Sequence, residues 1–440
     1  MICKEKLDGW FVLQLILIVF ACLTGCGGER TAVSDTRYTV PAPDSCTDEP
    51  DHRYFVSLPE QIPTDREIPL IITIDPHGDG YLAVQKFAGS LTGGIQAVIA
   101  GSQKIRNNYE GFEASLKNLF NDINAKYPVD PGKLIIAGMS GGARMAWYYG
   151  INNKVKGVIM FGAGPGRIPE GVSTTRLYAV SGTRDFNFME QYAQLFYGMS
   201  AENDYFTDFF RGTHEWPPAR NIYESVVYIL RYQQDVDKSV LEDLSGKFLS
   251  EYDSLLQVND LFFAGKALEK AWYFAPEEKD KERISGQIGT FKNMHAFTGY
   301  QDRFGSFLRK EIKLKQAYAE RLNDPDTAWW RQEIGSLKSN INTCPDSMQA
   351  DYLYRIKGFL GIILYAKINE LLRQDFAGAR LNKMLAIYEQ VEPVSPDLFY
   401  FKALVQHRAG NEREAQELLN QAIKRGFSDT ERIRQDFGGV

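Results

Sequence analysis

Short apolar runs alternate with amphipathic stretches through the first half of the chain. Residues 54–58, 68–74 and 96–100 are apolar and bounded by Pro, Gly or charged residues, the pattern of buried strands. Phe112, Leu116, Leu119, Phe120 and Ile123 then recur at helical spacing, and residues 133–137 form another strand-like run that feeds a helical stretch over 143–150. Further strands fit 155–161, 177–181 and 205–210. Strands alternating with helices predict an α/β fold, a doubly wound and mostly parallel sheet covered on both faces.

After Pro218 the strand-like runs vanish and long helical patterns take over, among them 221–233, 352–372 and 397–409. This predicts a second, all-α domain. Leu381, Leu385 and Tyr388 recur 34 residues later as Ala415, Leu419 and Ala422, and Ala264, Leu268 and Ala271 repeat the same internal spacing. The period is that of a tetratricopeptide repeat, with small residues where two helices pack closely, a turn at Gly410-Asn411 and a stop at Pro393. Its signature tryptophan and tyrosine are missing, so the reading is tetratricopeptide-like, with a helical appendage lacking true repeats as the alternative. Trp329-Trp330 and the aromatic-rich helices read as core.

The N-terminus differs from both halves. Lys4 and Lys6 precede an apolar stretch of about 12 residues, shorter than the roughly 20 that span a membrane. Leu23-Thr24-Gly25-Cys26 follows and resembles a bacterial lipobox. The expected sequence of segments is a signal peptide over 1–25, a lipidated Cys26, a Pro-rich polar tether over 26–51, an α/β domain over 52–232 and a helical domain over 233–440. The expected place is the bacterial cell envelope, lipid-anchored and by resemblance at the outer membrane, periplasmic or surface-facing. Two or more acyl chains on Cys26 would hold the protein to a membrane. An ordinary cleaved signal or an uncleaved anchor is the alternative. Export leaves Cys46 and Cys344 where disulfides persist, free to pair or to stay apart.

Composition changes the picture little. A chain of 440 residues with 44% hydrophobic and 24% charged residues is ordinary globular material, and a net charge of −6 gives no basic footprint for nucleic acid. No His-Glu-x-x-His, Cys-x-x-Cys or phosphate-binding Gly-x-x-x-x-Gly-Lys pattern occurs, so no metal or nucleotide cofactor is indicated.

The chemistry centres on Gly138-Met139-Ser140-Gly141-Gly142, at the junction of a predicted strand and helix. That context is the one a nucleophile elbow requires, with glycine on both sides because the strained turn brings helix and strand too close for side chains. Chance supplies the five-residue frame in roughly one chain in six of this composition, so its partners decide its weight. A serine hydroxyl needs a base to take its proton and an acid to orient that base. His214, in Gly212-Thr213-His214-Glu215-Trp216, follows the last strand, while His295 and His407 lie in helical sequence. Asp185, in the loop after the strand at 177–181, is the candidate acid, since Asp208 falls inside a strand. The oxyanion of a tetrahedral intermediate needs donors: the Gly141 N–H is one, and the second is expected from the backbone of Gly78 or Asp79 in Asp75-Pro76-His77-Gly78-Asp79-Gly80. Asp79 puts a carboxylate near that place, either turned away or meeting a cationic substrate group.

On these four stretches, residues 52–232 resemble an α/β-hydrolase, nearest to esterases of the polyhydroxyalkanoate depolymerase and feruloyl esterase-like group. Position by position, the resemblance implies Ser140 as nucleophile, Asp185 as acid and His214 as base. It implies a serine hydrolase of carboxylic esters, including acyl groups on polysaccharides, that works through an acyl-enzyme. A peptidase on the same fold and an inert envelope scaffold that docks a protein partner on its helices are the alternatives. Too few residues separate the elbow helix from the next strand for a large cap domain, so an open cleft is expected.

Overall fold

A computed structural model of the chain describes residues 37–91, 94–165, 175–196, 204–231, 236–374 and 378–438. The predicted leader, Cys26 and the first part of the tether lie outside the described residues. Eight strands carry the α/β half: β1 (Ala42–Ser45), β2 (Arg53–Ser57), β3 (Ile68–Ile74), β4 (Val98–Ser102), β5 (Val129–Met139), β6 (Gly157–Phe161), β7 (Arg176–Gly182) and β8 (Tyr205–Phe210). They form one sheet in the order β1-β2-β4-β3-β5-β6-β7-β8. The first two pairings, β1 with β2 and β2 with β4, are antiparallel, and every other is parallel.

The doubly wound arrangement follows from strands that are apolar on both sides, as in β3, where all seven residues are buried. Ile71, Ile99, Ile135 and Ile159 face a core shared with α1 (Gly80–Ala88) and α5 (Ala219–Leu230). Ile72, Ile136 and Val158 face the other core, with Leu116 and Leu119 of α2 (Phe112–Lys126) and Met145 and Ala146 of α3 (Gly141–Asn152). A short helix, α4 (Phe188–Phe196), follows the β7 turn.

Residues 42–45, read as tether, form the edge strand β1 instead. Its Pro43 is tolerated because an edge strand leaves one row of backbone groups unpaired. Asp122 anchors the segment, accepting the Thr47 N–H at 2.8 Å and the Tyr54 hydroxyl at 2.7 Å. Cys46 is buried there and Cys344 lies in the helical half, and both are free thiols, so the envisaged pairing does not form.

The C-terminal half is helical: α6 (Lys238–Gln257), α7 (Leu261–Phe274), α8 (Glu278–Lys292), α9 (His295–Arg321), α10 (Thr327–Thr343), α11 (Ser347–Arg373), α12 (Ala379–Val391), α13 (Pro396–Arg408), α14 (Glu412–Lys424) and α15 (Thr430–Phe437). Leu381, Leu385, Tyr388, Ala415, Leu419 and Ala422, the positions 34 residues apart, are buried, and Gly410-Asn411 makes the α13–α14 turn. Trp330 is fully buried among the helices, as core.

Sheet and helices share a core. Phe248 of α6 and Leu268 and Phe274 of α7 pack in the same apolar cluster as the strand residues Ile71 and Ile135. A buried ion cluster crosses the same boundary: Lys270 of α7 pairs with Asp208 of β8 at 2.7 Å and Glu224 of α5 at 2.8 Å. Asp208, set aside above as an acid because it lies within a strand, is thus committed to a structural pair.

Candidate active site

The elbow forms where β5 ends and α3 begins. Ser140 has φ 53° and ψ −118°, a left-handed backbone that a non-glycine residue adopts only under strain. The turn is held by the Ser140 N–H, which donates to the Phe161 carbonyl at 2.7 Å, and by its carbonyl, which accepts from Ala143 and Arg144. The flanking glycines are required by space: a Cβ on Gly138 would lie 2.4 Å from the Gly142 carbonyl, and one on Gly142 would lie 2.2 Å from the Ile74 carbonyl oxygen. Helix and strand meet at backbone contact, and this aims Ser140 out of the sheet's carboxyl edge.

The loops after β7 and β8 meet beside it. Thr183 and Arg184 donate backbone N–H bonds to Phe210 and Gly212 at 2.8 and 2.9 Å, lacing the two loops together. This brings His214 Nε2 to 2.9 Å from Ser140 Oγ and His214 Nδ1 to 3.0 Å from both carboxylate oxygens of Asp185. A carboxylate can only accept, so Nδ1 carries the proton and Nε2 faces the hydroxyl as acceptor. Asp185 is 1% exposed, and its Oδ1 also accepts the Asn187 N–H at 2.8 Å. The Phe186 ring lies 4.3 Å, centroid to centroid, from the imidazole. The three residues singled out from sequence therefore stand in one hydrogen-bonded chain. The other histidines do not join it: His407 pairs with Glu412 at 2.9 Å, and buried His52 contacts the Ser102 hydroxyl at 2.8 Å.

The oxyanion donors divide. Gly141 opens α3, so its N–H has no acceptor in a preceding turn. The expected second donors are already engaged: Gly78 N–H donates to the Asp75 carbonyl at 3.1 Å, and Asp79 N–H faces Asp75 Oδ1 at 3.3 Å, as does His77 N–H at 2.8 Å. Asp75 thus folds the loop onto itself, and neither Gly78 nor Asp79 presents a free amide. The Asp79 side chain resolves the other question, because it caps α1 by accepting the Leu82 N–H at 2.9 Å and is turned away from any oxyanion.

Asn107 lies against the elbow. A Cβ on Gly141 would lie 2.3 Å from Asn107 Cγ and 2.5 Å from its Nδ2, so the carboxamide rests directly on the residue after Ser140. Its backbone is fixed by an N–H bond to the Pro76 carbonyl at 3.2 Å. No sequence pattern marked this residue, since it comes from a loop after β4 that carries no motif.

The loops of the site also touch the C-terminal helices: Arg106, beside Gly78, pairs with Asp429 at 3.3 Å, and Arg184, beside Asp185, pairs with Asp351 of α11 at 2.7 Å.

The strand order and the strained turn between β5 and α3 match the sheet of an α/β-hydrolase fold. No protein-family model and no curated protein matches the chain. Among solved structures it is similar to an S-formylglutathione hydrolase from Staphylococcus aureus, 12% identical over 46% of this chain and 100% of that one, with a TM-score of 0.36. It is also similar to a feruloyl esterase module from Clostridium thermocellum, 12% identical over 44% of this chain and 87% of that one, TM-score 0.33. A ferulic acid esterase from Anaeromyces mucronatus is 14% identical over 45% of this chain and 92% of that one, TM-score 0.34. At such identities and scores the assignment of fold rests on this chain's own topology and geometry.

Proposed function

We propose that the protein is a serine hydrolase of carboxylic esters that works through an acyl-enzyme. The observation that carries this reading is the 2.9 Å contact from His214 Nε2 to Ser140 Oγ, with Nδ1 held by buried Asp185. In the reaction, His214 takes the hydroxyl proton as Ser140 attacks the ester carbonyl, and then returns it to the departing alcohol. Asp185 keeps the ring in the required tautomer and stabilises the imidazolium. Water repeats the sequence on the acyl-enzyme and releases the acid.

The test is labelling of the folded chain by a fluorophosphonate probe, followed by turnover of acetyl, feruloyl, longer acyl and peptide substrates. Labelling at Ser140 with ester turnover is expected. Absence of labelling would overturn the reading, and turnover of peptides alone would move it to a peptidase. Acylated polysaccharide is the natural substrate class we propose, and release of acid from such a polymer belongs in the same panel.

Two donors serve the oxyanion in this mechanism, the Gly141 N–H and the Asn107 carboxamide. Asn107→Ala should lower kcat by about 10²–10³-fold with KM little changed, the loss that follows removal of one such donor. A kcat within threefold of wild type would return the role to the backbone of residues 77–79.

We also propose that Cys26 is lipidated and holds the enzyme to the cell envelope, as the sequence before it suggests. Cys26→Ser should release the chain from the membrane fraction, and an unchanged distribution would count against the anchor.

A further inference from the structure

A set of contacts joins the C-terminal helices to the turn that carries Asp185. Arg355 of α11 donates from Nη1 to the Thr183 carbonyl at 2.7 Å. Lys315 of α9 donates to the Phe186 carbonyl at 3.0 Å. Between these two cations stands Glu311, fully buried, 2.8 Å from Arg355 Nε and 2.8 Å from Lys315 Nζ. Arg184 is held by Asp351 at 2.7 Å and lies over the Tyr354 ring at 4.5 Å, and the Arg355 guanidinium lies 4.6 Å over Phe188. The α11 backbone comes so near that a Cβ on Gly358 would touch Phe186 at 3.4 Å, and Phe186 in turn lies tilted against the His214 ring.

These contacts have a directional logic. The two carbonyls that receive the cations lie two residues before and one residue after Asp185, so both ends of the short turn are gripped from one side. A carbonyl that accepts from a buried charged donor makes a stronger bond than a neutral pair, and the buried Glu311 sets the direction of both donors. A scaffold serving only to hold two domains together would need no contact at these carbonyls, since the apolar core through α6 and α7 already joins them.

We propose that Arg355 and Lys315 are positioning residues: through the Thr183 and Phe186 carbonyls they hold Asp185 against His214, making the helical half part of the catalytic apparatus. This rests on the reading of Ser140, His214 and Asp185 given above. Asp185 directly faces the imidazole.

The test uses the full chain. Lys315→Met leaves the Glu311–Arg355 pair intact. The double replacement Arg355→Met with Glu311→Leu strands neither partner of that pair and substitutes apolar groups of similar volume. Both variants should show kcat lowered by about 10–100-fold with KM for p-nitrophenyl acetate within twofold. Lys315→Arg, which keeps a donor, should recover most of kcat. Wild-type kcat in the folded variants would overturn the proposal, as would a loss of thermal stability with kcat unchanged. Wild-type labelling by fluorophosphonate separates the outcomes: if it fails, the hydrolase reading falls, and if it succeeds while the variants behave as wild type, only the positioning role falls.

Discussion

Ser140→Ala is expected to lower kcat for p-nitrophenyl acetate by at least about 10⁴-fold and to abolish fluorophosphonate labelling, while leaving the thermal melt near that of wild type. The magnitude follows from how a hydrogen-bonded serine, histidine and acid act as a unit, so that removing the nucleophile removes nearly all that the three contribute. The residual rate would come from the oxyanion donors and from binding. Stability should hold because the Ser140 hydroxyl contacts His214 alone among the described residues, and alanine meets the same left-handed backbone as serine. A steady-state assay with active-site titration decides the matter. Equal hydrolysis by the two proteins would refute Ser140 as nucleophile, whatever the fold.

The second large effect concerns stability. Lys270→Met is expected to cost about 3–5 kcal/mol, the usual result of leaving buried charges without their partner. Lys270 is 8% exposed and sits between Asp208 and Glu224, each 1% exposed or less. Burial pushes the Lys270 ammonium down, but the two carboxylates outweigh it and hold its pKa above the ordinary lysine range. Burial pushes the Glu224 carboxyl up, against the pull of Lys270. Without the ammonium, Asp208 retains the Tyr178 hydroxyl at 3.1 Å and the Asn221 amide at 2.8 Å, and Glu224 retains Arg220 at 2.6 Å. None of these donors sits inside the cluster as a full buried cation does. Because the folded state binds the Lys270 proton more tightly than the unfolded chain, this contribution is complete at neutral pH and fades only as pH rises through the raised lysine pKa. Urea unfolding at pH 7 measures the loss, and a cost under about 1 kcal/mol would show that Arg220 and the neutral donors suffice.

Much of the site was legible because its requirements are local. The glycines around Ser140 are dictated by helix and strand in contact, a constraint that acts over five residues and leaves its mark there. Asp185 and His214 follow strands, where a parallel sheet presents its loops at one edge, so strand prediction, with the helical histidines and the in-strand Asp208 set aside, pointed to them. The Asp79 carboxylate was legible as a departure but not in its direction. Its capping of α1 depends on where the helix begins, and helix ends are the least certain part of any pattern.

Other features left no local trace. Asn107 reaches Gly141 only because the loop after β4 folds beside the elbow, and asparagine in a polar loop is unremarkable sequence. The self-contained turn at Asp75 was equally hidden, since the same residues with another backbone would offer Gly78 and Asp79 to an oxyanion. Residues 42–45 read as tether because Pro41, Pro43 and Pro50 suggest linker, and only an available sheet edge turned them into a strand.

The sequence by itself therefore determined the order of strands and helices, the elbow at Ser140, and the candidate acid and base that follow it, because these depend on periodicity and on constraints spanning a few residues. The tertiary structure alone decided which oxyanion amides are free, that Lys270 closes the sheet against α7, and that Arg355 and Lys315 reach the turn bearing Asp185. Those outcomes depend on long side chains meeting backbone 172 and 129 residues away in the chain, and no spacing rule connects residues so distant. Close packing brings them together, and burial then makes their charges matter.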